Sequence, residues 1–325
     1  MCDCIVVGDI TLDRFVILEK INIQPSETNL GNFDLTFELG QKLPVKDVFE
    51  SIGGNAHNVA FGLKNLGINV NLYSHIGTDK DAKVIIKNLA KSHIPYDLIN
   101  QSSKQRTNSA TILSIKGERV ILSYHSAKSY TYQALPNTKW VYLTSMGEGS
   151  EIITNGVLEQ VERDNINLAF NPGSFMLKNQ LHLIRKILPK LDIIFINKEE
   201  AQLILGEENE ESVPNLILSL LEKGIKTVSL TDGINGAYVG TQNKILHINI
   251  LPNIKKIVET TGAGDAFASG FLASHIKEHS LEESLQYGII NSGSVIQKIG
   301  ATVGLASQDK INKIINSRTL SVHKI

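Results

Sequence analysis

The most reactive arrangement in this sequence is a turn of small residues that carries one carboxylate and leads into an apolar helical pattern. The turn reads Gly262-Ala263-Gly264-Asp265, and the apolar pattern continues to Ile276. The glycines keep side chains away from a ligand, and the unpaired first-turn amides of the helix attract an anion. A carboxylate repels a phosphate bound beside it, so we predict that Asp265 accepts a proton from a group that attacks the phosphate. The alternative is that Asp265 is only the helix N-cap.

A second polar cluster opens a helix after residue 52 and contains two adjacent glycines. Gly53 and Gly54 permit close backbone approach, and Asn55 and Asn58 offer donors and acceptors to hydroxyl groups. Asp13 lies where the first strand is expected to end, and open parallel sheets bind ligands at that end of their strands. We therefore predict a site for a hydroxylated ligand. The structural alternatives are an asparagine-capped glycine turn and a turn-forming aspartate.

A third pair of polar residues, Asn197 and Glu200, follows a strongly apolar strand and begins another helix. Because they are three residues apart, both can face the crevice at the end of the strand. There Glu200 can act through a hydrated magnesium ion. A capping box that merely starts the helix is the alternative.

The next apolar strand ends in a polar turn that contains Thr231, Asp232, Gly233 and Gly236. Such a turn suits close contact with a nucleotide, whereas a plain hairpin needs no ligand. The sequence contains no G-x-x-x-x-G-K-[ST] motif, and no G-x-G-x-x-G follows the first strand. Their absence argues against Walker-type hydrolysis and against a standard dinucleotide site.

The elements around these motifs indicate the fold class. Short runs rich in Val, Ile and Leu alternate with helical patterns, which predicts an α/β fold on a mostly parallel sheet covered on both faces. Residues 14–51 and 107–124 break this alternation and have strand-like patterns. We expect them to pair as a small β-sheet lid on one domain that spans residues 1–316. Residues 317–325 are expected to form a loose tail.

Composition narrows the range of partners. The 325 residues are 42% hydrophobic and 20% charged, with a formal net charge of -1. A net charge this close to zero does not indicate electrostatic binding to nucleic acid or to an anionic membrane. The first residues lack the basic and apolar regions of a signal peptide, and no long uninterrupted apolar window occurs. We therefore expect a cytoplasmic protein that binds a small molecule and has no nucleic-acid or membrane partner.

Taken together and in this order, the motifs resemble the ribokinase/PfkB family of carbohydrate kinases. The GAGD turn is the most specific element, and G-G-x-x-x-N at residues 53–58 and N-x-x-E at residues 197–200 support it. The resemblance covers almost the whole chain and implies a ribokinase-like three-layer sandwich with a β-lid. It also implies ATP and Mg²⁺ as cofactors and transfer of the γ-phosphate to a substrate hydroxyl, typically a primary CH₂OH.

The resemblance also implies roles for the residues that match the family's motifs. Asp265 looks like the general base that deprotonates the hydroxyl. The turn that resembles the anion hole contains Gly262 and the amides of Ala263, Gly264 and Asp265. The residues that look like substrate binders are Asp13, Gly53, Gly54, Asn55 and Asn58. Asn197 and Glu200 are similar to the residues that organise phosphate and hydrated Mg²⁺ in the family. Those that look like the nucleotide cradle are Thr231, Asp232, Gly233, Gly236 and, as the loosest match, Asn291.

Two positions depart from the pattern of many relatives. Glu259 stands where many have an aspartate that helps to bind a potassium ion. Its extra methylene leaves a monovalent cation undetermined. Residues 171–174, Asn-Pro-Gly-Ser, replace the commoner D-x-N-x-R-like segment, a change that bears on the phosphate contacts.

The leading interpretation is an ATP-dependent kinase of a small sugar. A nucleoside kinase of the same fold is the alternative, in which Phe33, Phe37, Tyr124 or Tyr130 sandwiches a base. A catalytically silent sugar- or nucleotide-binding sensor is the third interpretation, and the retained Asp265 argues against it. A homodimer through the lid is a further expectation, because edge strands must be paired or covered.

Overall fold

The strands of the described residues form one large sheet, a small four-stranded sheet and a separate two-stranded sheet. The computed structural model describes residues 2–19, 23–25, 33–115, 118–126, 129–206, 212–252, 254 and 256–325. In the first strand, Cys4, Ile5, Val6 and Val7 are all fully buried. Burial on both faces is expected for a parallel strand with helices on each side.

The strands lie mainly where the short apolar runs predicted them. Their bounds are β1 (Cys2–Val7), β2 (Thr11–Leu18), β3 (Ile23–Pro25), β4 (Phe33–Leu35), β5 (Val45–Gly53), β6 (Val70–Ile76), β7 (Ile99–Gln101), β8 (Asn108–Ile115), β9 (Glu118–Tyr124), β10 (Thr138–Thr144), β11 (Asn167–Asn171), β12 (Ile193–Asn197), β13 (Thr227–Thr231), β14 (Ala237–Thr241), β15 (Lys244–Ile248) and β16 (Val322–Lys324).

The helices begin at recognisable capping residues in several cases. Asp79 accepts a hydrogen bond from the Ala82 amide, and Ser280 forms a capping box with Glu283. The helix bounds are α1 (Asn55–Asn65), α2 (Lys80–Lys91), α3 (Glu151–Asp164), α4 (Gly173–Asn179), α5 (Leu181–Ile187), α6 (Lys198–Leu205), α7 (Val213–Glu222), α8 (Ala263–Ile276), α9 (Leu281–Val295) and α10 (Gln308–Asn316).

The large sheet has the strand order β16-β15-β14-β13-β12-β11-β10-β1-β6-β7. From β13 through β7 neighbouring strands are parallel, and from β13 to β16 they are antiparallel. The mostly parallel α/β fold predicted from the sequence is therefore confirmed. The chain adds β6 and β7 on one side of β1 and then crosses to add β10 and later strands on the other. The strand order reverses beside β1, and open α/β sheets bind their ligands near such a switch point, outside the carboxyl ends of the strands.

The small sheet has the order β5-β2-β8-β9, and we call it the lid sheet. Strand β2 pairs with β5 antiparallel and with β8 parallel, so the two segments that broke the alternation do pair with each other. The first segment is slightly wider than expected, from Thr11 to Gly53. Residues 20–22, 26–32 and 116–117 of these segments lie outside the described residues.

The lid sheet has two distinct faces, because successive side chains of a strand point to opposite sides. One face, here called the inner face, carries Asp13 and a small core of Phe15, Ala110 and Ile112. The other exposes apolar side chains, which are Val48, Val120 and Leu122. A homodimer through these strands remains a prediction.

Helices α1 and α8 approach each other closely at a glycine. A Cβ placed on Gly62 would lie 2.2 Å from the Ser269 Oγ, so only glycine allows this separation. The close approach sets the amino-terminal turns of the two helices side by side. Those turns carry Asn58 and Asp265.

The carboxyl-terminal residues differ from the expected loose tail. Strand β16 pairs antiparallel with β15, with Val322 opposite Ile248. Leu320 is buried, and its backbone oxygen accepts a hydrogen bond from Gln286 Nε2. The tail is fixed because it covers the otherwise unpaired edge of the large sheet. In the described part of the chain, none of the helices has the length and apolar character needed to cross a bilayer.

Candidate active site

Three parallel strands of the large sheet end in polar residues at the same edge. Strand β11 ends at Asn171, β12 at Asn197 and β13 at Thr231. Together with Glu200 and Asp265 they line a cleft of about 190 Å³. The cleft therefore lies where an open α/β sheet is expected to bind its ligand.

The turn before α8 has a backbone that requires glycine at its first position. Gly262 is the N-cap with φ of 75°, and a Cβ there would lie 2.4 Å from Ala301 Cβ. Helix α8 begins at Ala263, so Asp265 is its third residue. The alternative that Asp265 is the N-cap is therefore wrong.

Asp265 is held by a residue from the neighbouring helix α1. The Asn58 Nδ2 donates to Asp265 Oδ2 at 2.8 Å. Burial raises the pKa of Asp265 to about 7, the Asn58 hydrogen bond lowers it, and the charge of Glu200 raises it. A carboxyl with a pKa near neutrality suits proton transfer at ordinary pH.

The first-turn amides of α8 supply two donors to the cleft. The Ala263 amide donates to Thr260 O at 3.2 Å, so it differs from the expected anion-hole role. The amides of Gly264 and Asp265 donate to no group among the described residues. Gly264 has no atom within 4 Å of the place where a Cβ would stand. Packing does not demand glycine there, and the absence of a side chain leaves room for a ligand beside the turn.

Asn197 and Glu200 form the capping box that was the alternative interpretation, and they also lie in the cleft. Asn197 Oδ1 accepts from the Glu200 amide at 2.8 Å, and Glu200 Oε2 accepts from the Asn197 amide at 2.9 Å. This is a complete capping box, yet both residues also line the cleft with Asp265. Burial raises the pKa of Glu200 above its ordinary value.

An apolar pocket of about 290 Å³ adjoins the polar cleft. Thr231, Thr260, Ala263, Gly264 and Phe267 line both spaces. The other aliphatic residues around the pocket are Ile234, Ile250, Leu251, Ile254, Ile257, Ile289 and Ile296. A flat apolar group in this pocket can be joined to an anion in the cleft across the shared wall.

The glycines predicted for the nucleotide cradle do line this pocket. Gly233 has φ of 51° with open space around it, and Gly236 has φ of 91°. A Cβ on Gly236 would lie 2.0 Å from Ile248 O, so this glycine is required by the fold itself. Asp232 is not part of the lining; its carboxylate accepts from Asn235 Nδ2 at 3.1 Å and closes the turn.

Asn291 is placed differently from its expected role in the nucleotide cradle. Its side chain is fully buried, and its Nδ2 donates to Ala266 O at 2.8 Å. Its Oδ1 accepts from the Ala306 amide at 3.0 Å. The side chain therefore joins α8 to the segment after residue 300, and it does not line either space.

The predicted substrate binders lie at the base of the lid sheet. A Cβ on Gly53 would lie 1.9 Å from Asp13 Oδ2, so glycine lets this carboxylate sit against the backbone. Gly54 has φ of 87°, and a Cβ there would lie 2.4 Å from Asp9 O. Asn55 begins α1, and its Nδ2 lies 3.4 Å from Asn171 Oδ1 in the cleft. The turn therefore joins the lid sheet to the cleft.

Asp13 is a buried carboxyl with a shifted pKa. Burial raises the pKa of Asp13 to about 6; the Thr11 hydroxyl, which donates to Oδ1 at 2.7 Å, lowers it. The charges of Glu259 and Asp9 raise it further. Asp13 therefore lies near Glu259 in the segment that leads into α8.

Glu259 is buried and accepts two hydrogen bonds. Thr261 Oγ1 donates to its Oε1 at 2.6 Å, and the Gly300 amide donates to its Oε2 at 3.0 Å. These contacts fix the loop that leads into α8. The monovalent cation left undetermined by the sequence stays so.

Sequence reasoning missed several residues of the site. Asn108 Nδ2 donates to Asp9 Oδ2 at 2.6 Å, where the lid sheet meets the core. Thr260, two residues before the Gly262–Asp265 turn, has no predicted role, although it lines both spaces. The aliphatic pocket carries no motif, because its isoleucines look like ordinary core residues until distant segments come together.

Comparison with known proteins identifies the family and the fold. Residues 17–308 match the profile of the pfkB family carbohydrate kinases. The chain is 28% identical over 282 residues to an ATP-dependent 6-phosphofructokinase of Thermoanaerobacterium thermosaccharolyticum, an alignment that covers 82% of this chain and 86% of that protein.

Two solved structures share the fold. The nucleoside kinase of Methanocaldococcus jannaschii, an archaeal member of the ribokinase family, superposes with a TM-score of 0.79 at 21% identity, over 97% of this chain and 98% of that one. Arabidopsis thaliana ribokinase complexed with ribose and ATP gives a TM-score of 0.79 at 20% identity, over 97% and 99% of the two chains. The family profile spans most of the sequence and the architecture agrees with it, so this chain belongs to the pfkB family of carbohydrate kinases and has a ribokinase-like fold.

Proposed function

We propose that this protein transfers the γ-phosphoryl group of ATP to a hydroxyl group of a small sugar, in the simplest case a primary CH₂OH. The observation that carries the proposal is the place of Asp265. Its carboxyl has a pKa raised to about 7, and it lines the polar cleft directly beside the unpaired amides of α8. A base and an anion site in one turn are what phosphoryl transfer to a hydroxyl requires.

The two adjoining spaces fit ATP. The apolar pocket suits the adenine ring, and the polar cleft with the amides of Gly264 and Asp265 suits the phosphates. The wall shared by the two spaces includes Thr231 and Thr260. We assign the nucleotide to this position because both its apolar and its anionic parts then meet complementary surfaces.

Glu200 and Asn197 fit a hydrated magnesium ion. Magnesium keeps several waters and binds through one or two carboxylates together with phosphate oxygens. Glu200 has one oxygen fixed by the Asn197 amide and lines the cleft that takes the phosphates. When bound, the ion supplies positive charge to the transferring phosphate.

In the proposed reaction the acceptor hydroxyl oxygen attacks the γ-phosphorus in line with the leaving oxygen. The new oxygen–phosphorus bond forms as the bond from the γ-phosphorus to the bridging oxygen breaks. The electron pair of that bond stays on the bridging oxygen, which leaves as part of ADP. The hydroxyl proton goes to Asp265.

The acceptor side presents groups that bind hydroxyls. Asp13, Asn55 and Asn58 offer a carboxylate and two amides near α1. Carboxylates accept hydroxyl protons and repel phosphate groups, so these residues favour a sugar over a sugar phosphate. Arg14, although next to Asp13, lies on the other face of the lid sheet and pairs with Glu50 and Asp81.

A nucleoside acceptor is the second candidate. Of the aromatic residues named for it, Tyr130 is buried and its hydroxyl accepts from the Gly147 amide, and Tyr124 lies on the outer face. These positions argue against a base sandwich by the two tyrosines; the side chain of Phe33 lies outside the described residues. The specific observation in its favour is the stacked pair of Phe15 and Phe49 on the inner face, with ring centroids 4.8 Å apart.

The test is coupled release of ADP from purified protein with Mg-ATP and a panel of acceptors. The panel contains ribose, fructose, sugar phosphates, adenosine, cytidine and inosine, and Asp265→Asn is the control. Turnover with a free sugar that the variant loses supports the proposal. Turnover with a nucleoside alone supports the second candidate. ATP binding without turnover of any acceptor contradicts both and favours a binding protein.

A further inference from the structure

The polar cleft lacks a strong positive charge of its own. Among the described residues that line it there are two carboxylates, Asp265 and Glu200, and no lysine or arginine. The amino terminus of α8 contributes only about half an elementary charge. A transferring phosphoryl group carries several negative charges, so one more cation at this position would lower the barrier.

Arg119 of the lid sheet contacts Thr260, a residue in the wall of this cleft. It is the second residue of β9 and pairs with Ser114, and the alternation of side chains places both on the inner face with Asp13. The Arg119 Nη1 donates to Thr260 Oγ1 at 2.9 Å. The contact joins the lid sheet to a residue 141 positions away in the loop before α8.

Thr260 lies where a bound nucleotide would extend from the apolar pocket into the polar cleft. It lines both the polar cleft and the apolar pocket, and its backbone oxygen accepts from the Ala263 amide. The guanidinium of Arg119 therefore contacts the residue that lines both the predicted adenine position and the predicted phosphate position.

The guanidinium also has N–H donors beyond the one that contacts Thr260. Arginine carries five N–H donors, and within the described residues Arg119 makes the Thr260 contact and no ion pair with a carboxylate. Arg14 of the same sheet differs, because Glu50 and Asp81 neutralise it. A cation without a counter-ion beside an anion site is arranged to bind the anion.

We propose that Arg119 is a further catalytic residue, which binds the γ-phosphate of the nucleotide and stabilises the charge on the phosphoryl group during transfer. This role rests on the proposed function. The guanidinium keeps its proton throughout; it donates hydrogen bonds to equatorial oxygens of the phosphoryl group while the hydroxyl proton goes to Asp265. Because Arg119 belongs to the lid sheet, the acceptor and the cation are brought to the phosphate by the same element.

The test compares a nucleotide that has a γ-phosphate with one that lacks it. Dissociation constants of Mg-AMP-PNP and Mg-ADP are measured by calorimetry for the wild type, Arg119→Gln, Arg119→Lys and the outer-face control Arg14→Gln. We expect Arg119→Gln to weaken AMP-PNP binding by ~10–100-fold and to leave ADP binding within about threefold. We expect Arg119→Lys to lose less and Arg14→Gln to bind both nucleotides like the wild type.

Turnover with the acceptor found in the panel provides a second readout. Arg119→Gln is expected to lower kcat by at least ~10²-fold with little change in the KM of the acceptor. Thr260→Val removes the hydroxyl that Arg119 contacts and is expected to cost at most about tenfold. Equal losses in Arg119→Gln and Thr260→Val, with AMP-PNP binding unchanged in both, would mean that the contact only docks the lid and would overturn the assignment.

Failure of this inference is separable from failure of the proposed function. If the wild type binds no Mg-ADP, both are overturned. If the wild type binds AMP-PNP and turns over, and Arg119→Gln matches it in both, only the role of Arg119 is overturned. Retained ADP binding in the variants verifies that they are folded.

Discussion

Asn58 and Asp265 lie 207 residues apart in the sequence, yet the Nδ2 of Asn58 donates to the Oδ2 of Asp265 at 2.8 Å. The hydrogen bond fixes the orientation of the carboxylate and leaves its Oδ1 without a partner among the described residues. It also favours the charged form and so opposes the rise in pKa that burial causes. We regard Oδ1 as the atom that takes the proton of the acceptor.

Asp265→Asn should separate chemistry from binding. The amide keeps the shape of the side chain but cannot accept a proton as a base. We expect kcat to fall by ~10²–10⁴-fold, the usual worth of a positioned base, while the dissociation constant of Mg-ATP changes little. Single-turnover kinetics and calorimetry measure the two quantities. Near-normal turnover would remove Asp265 from the mechanism.

The pH dependence of kcat/KM should show an acid limb with an apparent pKa near 7. The raised pKa of Asp265 means that the carboxyl is protonated and inactive below about pH 7 and charged above it. The rate should therefore rise with pH through this range and be about tenfold below its plateau one pH unit under the pKa. The profile is measured with a saturating concentration of Mg-ATP.

Asn58→Leu provides the matched control for that profile. Loss of the Asn58 hydrogen bond removes the contribution that lowers the pKa of Asp265, so the acid limb should move to higher pH. Asp13 also titrates, with a pKa raised to about 6, and its protonation would appear as a second break at lower pH. A limb that stays in place in Asn58→Leu would show that another group controls it.

Asp13→Asn should weaken the acceptor and leave the nucleotide unaffected. The buried carboxylate is placed to accept sugar hydroxyl protons, and a charged hydrogen bond contributes about 1.5–3 kcal/mol. We expect the KM of the acceptor to rise by ~10–10²-fold and the KM of ATP to stay constant. Initial-rate kinetics with each substrate varied in turn will measure both. A rise in the KM of ATP instead would place Asp13 on the nucleotide side.

The two glycines that flank Ala263 should respond in opposite ways to alanine. Gly264→Ala meets open space in the protein, so stability should change by no more than about 1 kcal/mol. Activity should nevertheless fall by ~10²-fold because the methyl group enters the anion site.

Gly262→Ala combines a φ of 75° with a contact of 2.4 Å to Ala301, so it should destabilise the fold by about 1–3 kcal/mol. Urea denaturation and kcat give both results; full activity in Gly264→Ala would contradict an anion at this turn.

Asn291→Leu should affect stability more than nucleotide affinity. The substitution leaves Ala266 O and the Ala306 amide without their buried partner, which costs about 2–4 kcal/mol of unfolding free energy. The dissociation constant of Mg-ADP should remain within a few-fold in the folded protein. Urea unfolding with and without ADP measures both. A large loss of ADP affinity at unchanged stability would instead indicate that Asn291 belongs to the nucleotide site.

The sequence by itself determined the architecture and predicted the candidate chemical residues. Alternation of short apolar runs with helical patterns predicted the parallel sheet, because strands buried on both faces must be apolar throughout. The small residues around Asp265 predicted an anion site at a helix start. Both inferences depend on local properties of the chain, namely periodicity and backbone freedom, which the sequence carries directly.

Only the tertiary structure decided which of these residues work together. The contact of Asn58 with Asp265 depends on the close packing of α1 on α8, and the apolar pocket depends on isoleucines from separate segments. Tertiary contacts also made Asn291 a core residue and the carboxyl terminus a strand. Arg119 had no sequence signal at all, because its importance arises from folding of the lid sheet over Thr260. Burial, electrostatic coupling and reach between distant segments are properties of the folded chain, so no local pattern could have predicted them.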